Sequence, residues 1–193
     1  MTSSKYVVSG KPKVGGAIFR APTTTAMPVD ETTSLPAAWL EQGYASDDGL
    51  KRSIEKAYET IRAWGGDIAA QPRTELTVTL EFTLIEAANG NVAKTIWGDD
   101  AVTVTAATTT SGTKIAVVYS GDDLGKSAWV VDLEDGGHVR RIVIPDAQVS
   151  TEKFEQTFGD SEVIAYPVTL TLYKDANGTY FYEYSNDGII AAS

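Results

Sequence analysis

Side chains able to do chemistry are few in this sequence, and their spacing suits it poorly. Three adjacent acidic pairs, Asp47-Asp48, Asp99-Asp100 and Asp122-Asp123, could offer carboxylates to a metal. The last two follow glycines in expected turns, where such pairs are ordinarily solvated turn residues, and Asp47-Asp48 reads the same way. None stands in the alternating oxygen-ligand pattern of a calcium loop. Lys126-Ser127 follows Gly121 and Gly125, but the glycine spacing of a phosphate-binding loop is absent. His138, the one histidine, adjoins Gly136-Gly137 in an expected hairpin turn, a surface setting rather than that of a base. The chain has no cysteine, which excludes disulfides, thiol nucleophiles and thiolate metal sites together. Asn177-Gly178-Thr179 has the form of a glycosylation acceptor and reads here as a turn. Four tryptophans and nine tyrosines could line a sugar cleft, although aromatic residues on strands serve first as core. The expectation is a protein that is not an enzyme and takes no cofactor or metal.

The elements that would position these residues are mostly strands. Over 75–86, Leu76, Val78, Leu80, Phe82 and Leu84 alternate with Thr77, Thr79, Glu81 and Thr83. Strict period two means one buried and one wet face, and the length suits a large sheet or a barrel wall. Residues 14–20 suggest a first strand around Gly15-Gly16. Val102 and Val104, then Ile115, Val117 and Tyr119, alternate too. Trp129, Val131 and Leu133 share a face, as do Ile142 and Ile144. The run Tyr166, Val168, Leu170, Leu172 precedes Asp175-Ala176-Asn177-Gly178, a turn signal from which 180–184 is expected to pair back as a hairpin. Pro167 falls at the start of its strand, where a missing donor is tolerated. One short helix is expected, capped by Asn89 or Asn91, with Val92, Ala93, Ile96 and Trp97 as its apolar stripe and Gly98 as a left-handed stop. The fold class is mainly β.

Segment 47–65 is ambiguous. Leu50, Ile54, Tyr58, Ile61 and Trp64 stand at helical spacing ahead of Gly65-Gly66, yet alternation partly fits the same residues.

Length and charge narrow the function. With 193 residues the chain is long enough for one domain with a sizeable core. Residues 1–13 lack periodicity and read as an arm, and 21–36 is rich in threonine and proline and should run extended or irregular. No stretch approaches the roughly 18 apolar residues of a membrane helix. The polar N-terminus lacks a signal-peptide core, which leaves synthesis and retention in a cytoplasm as the expectation. The formal charge is −10, from 26 acids and 16 bases. Such a balance argues against gripping nucleic acid, since phosphate contacts need lysine and arginine. It is compatible with letting DNA pass.

Read in order, the landmarks resemble the major tail (tail-tube) proteins of siphophages, the long, non-contractile-tailed bacteriophages. They are 43–50 from Gly43-Tyr44 to Gly49-Leu50, then Ile61-Arg62-Ala63-Trp64-Gly65-Gly66-Asp67 and the strand ending at Glu86. There follow Ile96-Trp97-Gly98-Asp99-Asp100, the run 141–148 and the run 166–173. The ordered set spans roughly 14–185. The resemblance implies a tail-tube-type β-sandwich or half-barrel with one short flanking α-helix. Inner strands of a hexameric ring would join into a continuous β-barrel. Rings would stack around a tape-measure protein, in a tube through which DNA later passes without specific binding, between tail terminator and distal tail proteins. By position it implies an N-terminal arm (1–13), a β domain (14–184) with a long inter-subunit loop or arm (45–64), and a C-terminal tail (185–193). Subunit contacts are then expected at Tyr44, Asp47, Leu50, Ile54, Tyr58, Ile61 and Trp64, and a core helix at Val92, Ile96 and Trp97. The family also favours extended arms over a helix in 47–65.

The protein would be found in the virion tail, and in host cytoplasm before assembly. A tube of a phage-like injection particle fits the same residues. A monomeric carbohydrate-binding β-sandwich is a third reading, requiring exposed aromatics in a groove. The tube reading instead expects Trp39, Trp64 and Trp97 in the core or in subunit contacts, and a lumen face with more acid than base.

Overall fold

A computed structural model describes residues 6–14, 16–152 and 154–189. The chain runs β1 (Ile18–Ala21), β2 (Leu40–Glu41), β3 (Ala45–Tyr58), β4 (Ile61–Arg62), β5 (Ile68–Ala70), β6 (Arg73–Leu84), α1 (Gly90–Trp97), β7 (Val102–Thr105) and β8 (Lys114–Val117). It continues through β9 (Ser127–Asp135), β10 (His138–Val149), β11 (Tyr166–Leu172) and β12 (Tyr182–Asn186). Eight strands form one antiparallel sheet in the order β2-β1-β9-β10-β11-β6-β3, with β12 joined to β10. The fold is the mainly-β sandwich expected, and the barrel is open.

The sheet folds over on itself. Strands β9 and β6 are three positions apart, about 14 Å in a flat sheet at ~4.8 Å per strand. Yet Trp129 of β9 and Phe82 of β6 meet edge to face with centroids 5.9 Å apart. Curling brings the alternate residues Val78, Leu80, Phe82 and Leu84 onto Val131, Ile142 and Ile144 in one buried cluster. Strand β10 makes the corner. Its register against β9 shifts between Ile144 and Ala147, around Pro145, and such bulges bend a strand.

Helix α1 lies against this core through Val92, Ala93 and Ile96. Asn89 is its cap, accepting from the Asn91 amide at 2.9 Å. Gly98 ends the helix at φ 96° and ψ 150°, so its positive φ is extended rather than the left-handed helical stop expected.

The ambiguous segment is extended. Leu50, Arg52, Ile54 and Lys56 pair with Phe82, Leu80, Val78 and Leu76, so β6 acts as the template that selects period two over helix. A register shift between Ala45 and Leu50 includes Gly49 at φ 74°, a bulge that leaves Asp47-Asp48 in strand and not in a turn.

Three other expectations need correction. The Asp175–Gly178 turn forms, with the Asp175 carboxylate accepting from the Asn177 and Thr179 amides at 2.9 Å. The strand after it does not pair back. Both edges of β11 are taken, by β6 and by the second half of β10, so β12 crosses to the first half of β10 at Val139–Val143. Strand β1 begins only at Ile18, with Val14 fully exposed ahead of it. Strand β8 stops at Val117, and Tyr119 instead packs against Trp97.

Candidate assembly surfaces

The two outer faces of the folded sheet differ. Behind β9 and β10, the apolar patch of Ala21, Trp39, Ala128, Val130 and Val143 is roofed by the threonine- and proline-rich segment, with Met27 and Leu35 packed on it. Arg141 holds the roof down. It is 2% exposed, forms a two-bond fork with Asp132 at 2.6 and 2.7 Å, and donates to the carbonyls of Asp30 and Thr33 at 3.2 and 2.7 Å. Those bonds to Asp132 raise the guanidinium's pKa, so Arg141 stays charged. Asp30 folds the roof locally. Its carboxylate accepts from the Thr33 hydroxyl and from the Thr33 and Thr32 amides, which draws its pKa down to about 2.

The other outer face is open. Register places Thr77, Thr79, Glu81 and Thr83 of β6 beside Glu55, Ser53 and Lys51 of β3 and Thr171, Thr169 and Pro167 of β11. Glu75, Glu55 and Glu81 outnumber Lys51, the base on this face of β3 and β6. The Lys51 ammonium bonds Glu81 at 3.1 Å. This wall is polar, hydroxyl-rich and net acidic.

The edge of the wall is β3, a strand of 14 residues with its outer side unpaired among the described residues. Long open edges are templates for pairing. Beyond Lys56 and Leu76 the β3–β6 hairpin leaves the body as a two-strand ribbon, exposed on both faces and capped by the small β4–β5 pair. Gly65 and Gly66, at φ 116° and 97°, make its turn, a conformation few other residues adopt.

The expected contact residues fall into three groups. Leu50 is half-buried against the core cluster. Tyr44, Asp47, Ile54 and Tyr58 are exposed or partly so at the root and along the edge. Ile61 and Trp64 sit at the ribbon tip, where Trp64 is 107% exposed. Trp39 is core, and Trp97 is half-buried on the helix beside Val92 and Ile96. No aromatic groove surrounds Trp64, since every residue from 59 to 75 is exposed.

Sequence reasoning missed two features. Ile68 joins Ile61 at the tip, and its signal was an apolar residue just across Gly65-Gly66 from Trp64. Tyr119 and Phe154 bracket Trp97, with centroids 5.6 and 5.1 Å from it. No local pattern joins residues so far apart in sequence.

Among the described residues no three acidic or histidine side chains converge as a metal site. Asp99 is engaged by Arg20 at 2.7 Å, and Asp122 by the Ser120 hydroxyl. His138 opens β10 at the Gly136-Gly137 hairpin, beside a cleft of about 230 Å³ that Tyr6, Asp135 and Arg140 also line. Among the described residues no helix is long and apolar enough to cross a membrane.

An open strand edge beside a polar wall is a surface on which a further β strand can pair. The family described as phage tail tube protein matches residues 3–192, and the chain belongs to that family. It is thus a structural component of a phage tail. No curated protein matches the sequence.

Proposed function

We propose that the chain polymerises as hexameric rings stacked around a tape-measure protein, forming the conduit through which DNA leaves the particle. The observation that carries this reading is the 14-residue open edge of β3 bordering a polar wall. Pairing of β3 with the next copy would extend the wall from subunit to subunit and remove the edge by closure. Around a ring such a contact is heterologous and closes on itself.

In this arrangement the Thr79–Glu81–Thr169 face lines the lumen. Its acid excess repels phosphate, so DNA passes without being held. Tyr44, Asp47, Leu50, Ile54 and Tyr58 would contribute to contacts within a ring, and Ile61 and Trp64 to contacts between rings. The N-terminal arm and the C-terminal tail would add to stacking. Residues 9–13 of the arm lie along β9, where the Glu134 amide donates to the Lys11 carbonyl at 2.9 Å. Residues 1–5 and 190–193 lie outside the described residues. Tail terminator and distal tail proteins would close the two ends of the tube, and the protein would occupy host cytoplasm before joining the virion tail.

Electron microscopy of the concentrated protein tests this directly. Rings or hollow filaments are expected. A species that stays monomeric at the highest attainable concentration would sink the proposal.

A further inference from the structure

Glycine follows asparagine twice in this chain, at Asn89-Gly90 and at Asn177-Gly178. With no side chain to screen it, the glycine nitrogen can attack the asparagine side chain and close a five-membered imide. The two pairs share this chemistry and differ in their surroundings.

Asn89 is locked. Its Oδ1 accepts from the Asn91 amide and its Nδ2 donates to Glu86, both at 2.9 Å. Its carbonyl accepts from the Ala93 amide at 3.0 Å, so α1 fixes the peptide that joins it to Gly90. Val104 crowds Gly90, with one methyl 2.8 Å from where a Cβ would stand. Attack there requires the helix cap to break.

Asn177 is held loosely. It stands exposed at the tip of its turn, between the exposed Ala176 and Gly178. Its Nδ2 makes only long bonds, 3.4 Å to Asp175 and 3.2 Å to the Tyr182 hydroxyl. No atom lies within 4 Å of the Cβ position at Gly178. The Gly178 amide donates to the Asp175 carbonyl at 3.0 Å, and a turn facing solvent opens locally at little cost.

We propose that Asn177 is a site of spontaneous covalent modification, deamidating through an imide with Gly178, while the fold shields Asn89. Hydroxide from solvent takes the Gly178 amide proton, and the nitrogen bonds to Asn177 Cγ. The Cγ–Nδ2 bond breaks, and Nδ2 leaves as ammonia with a proton from water. A second water opens the imide at either carbonyl and gives aspartate or isoaspartate. No electron changes hands.

The product reaches beyond the turn. Its carboxylate stands beside Asp175, which the Thr179 amide and the Tyr182 hydroxyl hold ionised below its ordinary pKa. Like charges so placed repel, and isoaspartate also lengthens the turn backbone by one methylene. Both weaken the 2.7 Å bond from the Tyr182 hydroxyl to Asp175, which ties the turn to the first residue of β12.

Folded protein is held in mildly alkaline buffer beside a sample unfolded in urea, and both are then cleaved after Lys94 and Lys174. Mass spectrometry follows conversion of amide to acid in each peptide, with fragment ions locating it. In folded protein Asn177 should convert at least about tenfold faster than Asn89, and in urea the two should convert alike. Folded rates that do not differ, or that favour Asn89, would overturn the proposal. Asn177→Asp carries the charge of one product and should speed hydrogen exchange across Tyr182–Asn186 severalfold. Unchanged exchange there would overturn the link from the turn to β12.

Discussion

Arg52 of β3 and Glu183 of β12 bond at 2.8 Å across the gap between the two halves of the folded sheet. Both point inward, Arg52 paired with Leu80 and Glu183 with Ile142. The guanidinium also lies 4.4 Å from the Phe181 ring centroid, and Glu183 takes a second partner in Arg140 at 3.4 Å. Two strands that share no backbone bond are thus tied by side chains at the root of the ribbon.

Both partners remain about a third exposed, so this tie is modest. Arg52→Ala should lower monomer stability by about 1 kcal/mol, ion pair and ring contact together. Urea unfolding of Arg52→Ala, Glu183→Ala and the double variant checks it. The double variant should cost less than the two singles added.

The Arg141–Asp132 pair is the opposite case, since it is buried. Arg141→Ala strands a carboxylate and releases two roof carbonyls, at a cost of about 3–5 kcal/mol. Arg141→Met combined with Asp132→Leu should recover most of that loss. Thermal or urea unfolding gives the comparison, and a loss below 1 kcal/mol in Arg141→Ala would count against the clamp.

Asp30 sets a pH dependence of the roof. Its folded pKa of about 2 lies below the ordinary 3.8, chiefly through the Thr33 hydroxyl bond. Its contribution is therefore complete above the ordinary value and fades as pH falls through the folded one. Between pH 4 and about 2 the roof should loosen. Carboxyl NMR titration of Asp30 reads it, and Asp30→Asn should remove the dependence.

The wall carries a functional expectation. Glu55→Lys with Glu81→Lys inverts the sign of its charge while leaving the threonine ladder in place. Assembled tubes of this variant should retain double-stranded DNA at low salt and release it as salt rises, since phosphate contacts exchange for counterions. Retention assays against unaltered tubes provide the check.

Much of this was legible in residue order. Strict alternation from Leu76 to Leu84 foretold both the strand and its buried face, because period two has one physical reading at that length. The helix at Val92–Trp97 followed from its cap and stripe. What escaped was set by pairing at a distance. The hairpin expected after Gly178 fails because β11 has no free edge, which no local signal reveals. Segment 47–65 carried both periods, and only the template strand β6 decides between them. The ring cluster around Trp97 joins residues 97, 119 and 154, which become neighbours only when the sheet folds.

A helical reconstruction of the assembled tube by cryo-electron microscopy tests the central claim most directly. The account expects β3 hydrogen-bonded to a strand of the adjacent copy, with Thr79, Glu81 and Thr169 facing the channel. A tube in which the β3 edge stays unpaired, or in which that face turns outward, would contradict it.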